Sequence, residues 1–356
     1  MAETASETAS GAGLPDRPSL LSQMLAELPV PDEAARRAVA ERASQVLRPA
    51  GAFERLDQVA VWLAGWQRTP EPTIERPVVL VFAADHGVAE EGVSAYPAEV
   101  TAAMVSAVDS GVATVTAVAR KVGAVVRCDD VGVGMPTGNI RTQDAMNAGE
   151  FDAAVDAGAL AVERAVEADR PDLLVLGELG IGNTTAAAAV CGLLLADDAS
   201  SSAEEAARWT GPGTGVQAAA LDHKRTVVCD VLERVGRVEP LEALRRAGGR
   251  ELAAIAGAVA AARQRSIPVV LDGFIGTAAA APLALAVPGS MDHCIAGHCS
   301  AEPGHRELLA RLGLEPLVRL DLRLGEGTGA LIAVPLVRIA AAAVTDVATF
   351  AEWGLA

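Results

Sequence analysis

Leu173-Leu-Val-Leu-Gly-Glu-Leu-Gly-Ile-Gly-Asn-Thr-Thr-Ala-Ala-Ala188 passes from an apolar run, through an acidic residue and glycines, into a stretch of small residues. A short apolar run bounded by glycine predicts a strand buried on both faces, and the Thr-Thr-Ala stretch predicts a helix that a threonine can cap. The pattern occurs twice more, as Val269-Val-Leu-Asp-Gly-Phe-Ile-Gly-Thr-Ala-Ala-Ala280 and as Leu322-Arg-Leu-Gly-Glu-Gly-Thr-Gly-Ala-Leu331. Each copy sets backbone amides at a helix N-terminus, where the dipole favours an anion, with Glu178, Asp272 or Glu326 a few residues earlier. Such an arrangement can hold a phosphate beside an acid or base.

Working outward, Val78 to Phe82, Ala124 to Cys128 and His293 to Ala296 add further strand candidates to Leu173 to Leu176 and Val269 to Leu271. Continuous apolar runs alternating with Ala-rich helical stretches predict an α/β fold, a doubly wound and mostly parallel sheet with helices on both faces. Leu320-Asp-Leu-Arg-Leu alternates with period two but abuts a Gly-rich turn, so its type stays open. From about Ser19 to Gln67 the periodicity is helical, and a Pro-rich break from Thr69 to Pro77 follows. The domains expected are therefore a disordered tail over 1–18, a small helical domain over 19–70 joined by 337–356, and a large α/β catalytic domain over 75–336. The C-terminal helix is expected from about Val337 to Trp353, and Asp197 to Glu205 as a surface loop.

The chain has 356 residues, half of them hydrophobic, and a formal net charge of -17. Its basic residues are dispersed, which argues against nucleic acid as a partner but not against one small phosphorylated ligand. Met1 to Ser10 lacks the basic start and apolar core of a signal peptide, and the longest apolar runs fall short of the roughly 20 residues of a membrane span. Five cysteines without framework spacing read as reduced thiols, so a cytoplasmic location is expected.

Several segments concentrate polar groups. In Ala83-Ala-Asp-His-Gly-Val-Ala-Glu-Glu-Gly-Val-Ser-Ala-Tyr-Pro97 two readings stand: Asp85 and His86 organise a pocket while Ser94 and Tyr96 contact a flat substrate, or the segment is an ordinary turn. In the block after Leu176, Gly180 and Gly182 let a ligand approach the main chain, and Asn183, Thr184 or Thr185 can cap the helix and reach phosphate oxygens. The P-loop lysine is missing, and no G-x-G-x-x-G opens the first strand-helix unit. Lys224, in Leu221-Asp-His-Lys-Arg, is a cation that could neutralise a phosphate, or a solvated helix residue. Glu326 stands between two glycines, and closing apolar walls over it would raise its pKa toward that of a general base. Asp292-His-Cys-Ile-Ala-Gly-His-Cys-Ser300 and His305 lack zinc spacing, since His298 and Cys299 are adjacent, so neither metal nor other cofactor is expected.

Five blocks in order, around Asp85, Glu178, Asp272, Gly297 to His305 and Leu322 to Ala330, resemble the nicotinate-nucleotide:dimethylbenzimidazole phosphoribosyltransferases from about Leu20 to the C-terminus. The resemblance implies transfer of the phosphoribosyl group of nicotinate mononucleotide to dimethylbenzimidazole, giving α-ribazole 5′-phosphate and nicotinate for cobalamin. It implies a homodimer that needs no metal, with Glu326 as general base and Glu178 as a second carboxylate near the ribose. Substrate contacts are expected from Asp85, His86, Ser94, Tyr96, Met104, Gly180, Gly182, Asn183, Thr184, Thr185, Lys224, Asp272, Gly273, Ser300, Leu324 and Gly325. One departure is Ala103, where the family commonly has Gln; it opens the alternatives of another acceptor base (adenine, another benzimidazole or a phenol) or a nucleotide-binding protein without catalysis. A metal hydrolase using His298 and His305 is a third reading.

Overall fold

Strands β1 (Pro77–Ala84), β2 (Val125–Gly132), β3 (Leu173–Leu179), β4 (Val269–Leu271) and β5 (Cys294–Ala296) coincide with the five apolar runs read from sequence. The computed structural model describes residues 18–355, so the tail expected over 1–18 lies, but for Pro18, outside the described residues. All neighbouring pairs are parallel, in the order β2-β1-β3-β4-β5. Period-two alternation sends Val78, Leu80 and Phe82 into one core and Val79, Val81 and Ala83 into another, which is why β1 is apolar at every position. Helices Ala148–Asp169, Asn183–Leu195, Arg250–Gln264 and Phe274–Ala286 cover the first face; Glu54–Gln67, Val100–Asp109, Thr114–Val122 and Thr328–Thr345 cover the second. The sheet is doubly wound, as its alternating elements predict.

The chain moves from β1 outward to β2, then crosses back to β3 and continues the other way. Strand order therefore reverses between β1 and β3, and a crevice opens beyond their carboxyl ends, the usual ligand position in open α/β sheets. Residues 320–325, left open above, form an irregular segment after a short pair of parallel strands, β6 (His298–Cys299) and β7 (Val318–Arg319). The Ala-rich helix Arg250–Gln264 packs on Ala148–Asp169. A Cβ on Gly158 would lie 1.8 Å from the Ala254 carbonyl oxygen and one on Gly257 2.1 Å from that of Val155, so glycine sets the helix separation.

The terminal segments depart from expectation. Helix Leu20–Met24 packs with the main core through Leu21 and Leu25, and the amide of Leu20 donates to Asp152. Helices Glu33–Gln45 and Glu54–Gln67 meet the end of Thr328–Thr345 in a core of only Ala35, Val39, Ala60, Ala64 and Val344. Arg42 ties them together by donating to the carbonyls of Val344 and Val347. The last long helix starts at Thr328, not near Val337, and runs uninterrupted through 336–337 with Pro335 inside it. Its N-terminal half lies on the sheet and its C-terminal half on the N-terminal helices, so a separate small helical domain is not set apart. Thr328–Thr345 and the stretch 100–122 are apolar and long enough to cross a membrane by composition alone. The first packs against the sheet, and the second is broken into two helices at 110–113. The loop expected over Asp197 to Glu205 ends at Ser201, which starts helix Ser202–Trp209 by a capping box with Glu204.

Candidate active site

A cleft of about 690 Å³ lies beyond the carboxyl ends of β1, β3 and β4. At its floor, the turn Gly325-Glu326-Gly327 docks on the end of β3, the Glu326 amide donating to the Glu178 carbonyl at 3.2 Å. All three turn residues are left-handed, with φ of 87°, 61° and 82°, a conformation natural for glycine but strained for Glu326. The turn fits because residue 177 is glycine: a Cβ there would sit 2.4 Å from the Glu326 carbonyl carbon.

Glu326 is 1% exposed, and its Oε2 accepts one long hydrogen bond, 3.4 Å, from the Val115 amide. Burial pushes its carboxyl above the ordinary range, the Val115 amide pulls it back, and nearby Asp272 adds to the rise. Glu178 is also buried, with Oε2 held by the Asn183 side-chain amide at 2.5 Å. Burial, then the charges of Asp272 and Glu251, hold its carboxyl well above the usual range against the pull of Asn183.

Asp272 follows β4 but is engaged differently. Its oxygens accept from the amides of Gly327 (3.2 Å) and Ala330 (2.8 Å), capping the helix Thr328–Thr345, and His298 Nε2 stands 3.4 Å away. The amides that the sequence pattern offers to an anion at this helix are thus partly taken by Asp272. Thr328 Oγ1 donates to the Gly325 carbonyl and closes the turn.

Twelve of the expected substrate residues border the cleft. Ser94, Tyr96 and Met104 form one wall, with Tyr96 half exposed at the mouth. Gly180, Gly182, Asn183 and Thr184 form a second; Asp272, Gly273 and Ser300 face them, and Leu324 and Gly325 close the rim. The remaining four lie behind the walls. Asp85 accepts from the Gly134 amide at 2.8 Å and joins the loops after β1 and β2. His86 Nε2 pairs with Glu251 Oε1 at 2.5 Å; both are buried beneath Gly180, whose Cβ would lie 3.2 Å from that nitrogen. Thr185 is fully buried. Lys224 is also wholly buried, donating to Thr184 Oγ1 at 2.8 Å and to the Gly211 carbonyl at 3.1 Å, and burial pushes its ammonium down to about 8. These four reach a ligand only through the residues they support.

Ala103 lies on the exposed side of helix Val100–Asp109, whereas Val100, Thr101 and Met104 of that helix border the cleft. Thr101 Oγ1 accepts from the Ile181 amide at 3.3 Å and links this helix to the loop after β3. The histidines of the 292–305 block have separate tasks. His293 Nε2 donates to the Val259 carbonyl, and His305 Nδ1 accepts from the Ser300 amide while Nε2 donates to Thr277. Burial lowers His305 to about 3, which keeps it neutral in that role. Among the described residues no three His, Cys, Asp or Glu side chains gather as a metal-holding group. Glu302, on the border of the cleft, and Glu251, beneath it, are buried carboxyls outside the expected set. The signal for Glu251 is a lone acidic residue in the first turn of an Ala-rich helix, which is buried from Glu251 to Arg263.

Comparison with known proteins agrees with this geometry. A family model described as "Phosphoribosyltransferase" matches residues 28–355. A nicotinate-nucleotide–dimethylbenzimidazole phosphoribosyltransferase of Cereibacter sphaeroides is 48% identical over 331 residues, 92% of this chain and 94% of the relative. The protein of that name from Novosphingobium aromaticivorans is 48% identical over 334 residues, 93% and 95% of the two chains. The crystal structure of CobT from Thermus thermophilus superposes with a TM-score of 0.84 at 41% identity, covering 91% of this chain and 99% of that one. With a model match over nearly its whole length and relatives at this identity, the chain belongs to the nicotinate-nucleotide–dimethylbenzimidazole phosphoribosyltransferase family.

Proposed function

We propose that this enzyme transfers the phosphoribosyl group of nicotinate mononucleotide to dimethylbenzimidazole, giving α-ribazole 5′-phosphate and nicotinate for cobalamin biosynthesis. The observation that carries the reading is Glu326: a buried carboxyl with a raised pKa and a single long hydrogen bond, bordering a cleft that can take a flat base and a nucleotide together.

The pyridinium of the donor is already a good leaving group, so the enzyme has to position two reactants, remove one weakly acidic proton and stabilise a sugar cation. One acceptor nitrogen attacks C1′ from the face opposite nicotinate, which inverts the anomeric centre. The proton of the other nitrogen passes to Glu326 as general base, and the C1′–N bond electrons return to the pyridine ring. Glu178, oriented by Asn183, faces the positive charge that grows on the ribose. Ser94, Tyr96 and Met104 hold the acceptor, while Gly180 to Thr184, with Lys224 behind, hold the phosphate end. The five unpaired cysteines support a cytoplasmic location, and the homodimer is carried over from the family resemblance.

Purified protein incubated with nicotinate mononucleotide and dimethylbenzimidazole releases nicotinate and α-ribazole 5′-phosphate in equal amounts, read by mass spectrometry. Ligand-dependent thermal stabilisation without product would make the chain a binding protein instead.

A further inference from the structure

We propose that Glu302 binds the phosphate of the mononucleotide in its acid form, so that donor binding draws a proton from solvent onto this carboxyl. The inference rests on the phosphoribosyl-donor reading above.

Glu302 occupies the N-cap position of helix Pro303–Arg311, yet its side chain caps nothing. It is 6% exposed, borders the cleft, and neither carboxyl oxygen has a hydrogen-bond partner within the chain. A Cβ on Gly211 would lie 2.2 Å from its Oε2, and the carbonyl of the same Gly211 accepts from Lys224 Nζ. Gly213 in turn packs on Thr184 Oγ1, a Cβ there lying 3.2 Å from it and 3.6 Å from Lys224 Nζ. Glu302, Thr184 and the loop 212–213 therefore border one end of the cleft, at the head of helix Asn183–Leu195, with Lys224 buried directly behind them. The charged groups facing Glu302 are Lys224, from helix Ala218–Val235, and Arg323, from the segment before the Glu326 turn; the Gly213 amide also faces it.

Burial with so little hydrogen bonding raises the Glu302 carboxyl above its ordinary range, while Lys224, the Gly213 amide and Arg323 pull it back. Lys224 spends donors on Thr184 and Gly211. A phosphate dianion entering beside them adds like charge to Glu302 and attracts Lys224, and both changes favour the acid. The O–H then donates to a phosphoryl oxygen in a short, charge-assisted bond, and Lys224, behind Thr184, offsets the second phosphate charge.

The test is calorimetry at pH 7 in buffers of different ionisation enthalpy, titrating nicotinate mononucleotide and nicotinate riboside. A phosphate monoester with second pKa near 6 is about nine-tenths dianionic there. Lys224, titrating at about 8, is roughly nine-tenths charged, so a phosphate completing its ionisation and a Lys224 completing its protonation each exchange at most about a tenth of a proton, and the phosphorus NMR shift of the bound mononucleotide shows whether the phosphate takes the proton itself. The parent enzyme should take up more than about half a proton per mononucleotide and almost none per riboside, and its mononucleotide Kd should rise several-fold from pH 6.5 to 7.5. In Glu302→Gln the uptake should fall to about a tenth and the Kd should change less than about twofold over that range. Mononucleotide binding without uptake, equal uptake with riboside, or undiminished uptake in Glu302→Gln each overturns the assignment and leaves the donor reading standing. Failure of the parent to bind the mononucleotide overturns both. Should Glu302→Gln not fold, the parent still decides: uptake with a bound phosphate that stays dianionic by phosphorus NMR supports the assignment, and a monoanionic bound phosphate overturns it.

Discussion

The turn after β4 and the turn before helix Thr328–Thr345 share a pattern, an acidic residue beside glycine at the head of a helix, and use it in opposite ways. Asp272 spends both oxygens on main-chain amides of residues 327 and 330 and stands beside His298. Glu326, held by a left-handed backbone between two glycines, turns off its helix and keeps one 3.4 Å contact. Both are buried, but one holds the architecture and the other is available for chemistry. The lesson is that a carboxylate's use depends on what its oxygens have left after the fold has taken its share, and the first carboxylate makes the second possible by fixing its turn.

The largest effect expected is on Glu326. Glu326→Gln should lower kcat by about 10²–10⁴-fold with the fold intact, because the proposed general base is removed and the shape kept; circular dichroism beside the product assay checks both halves. Next is Gly177→Ala, which puts a methyl into the backbone of the turn. It should cost about 1–3 kcal/mol in denaturant unfolding and, by displacing the Glu326 carboxylate, on the order of 10²-fold in rate. Asp272→Asn removes one of two cap acceptors and should cost about 0.5–2 kcal/mol in stability, with a smaller rate loss than Glu326→Gln. A Glu326→Gln enzyme as active as the parent, beside an inactive but stable Asp272→Asn, would reverse the comparison. The smallest effect separates strain from chemistry. Glu326→Gly should be more stable than Glu326→Gln by about 0.5–1 kcal/mol, since both lack the carboxylate and only glycine relaxes a φ of 61°.

Sequence carried the sheet because its central strands are apolar on both faces: β1, β3 and β4 are buried at every position, and runs such as Val269-Val-Leu have no solvent side to encode, whereas the edge strand β2 is half-buried and carries Arg127, Asp129 and Asp130. The cleft walls were legible for the same local reason, glycines and threonines at strand ends. What stayed hidden depends on partners far along the chain. The cap donors of Asp272 lie 55 and 58 residues away, and Glu251 lies 165 from His86. Nothing near Lys224 tells that it is buried behind Thr184 rather than solvated or facing the ligand. The start of the C-terminal helix stayed hidden because Thr328–Thr345 serves the sheet at one end and the N-terminal helices at the other, running through Pro335 without a break.

The acid limb of the kcat/KM pH profile tests the central claim most directly. As the proposed base Glu326 works as the anion, and burial raises its pKa, so activity should climb with pH through an inflection above the usual carboxylate range, and the limb should vanish from the residual activity of Glu326→Gln. An unchanged limb and rate in Glu326→Gln would contradict the account.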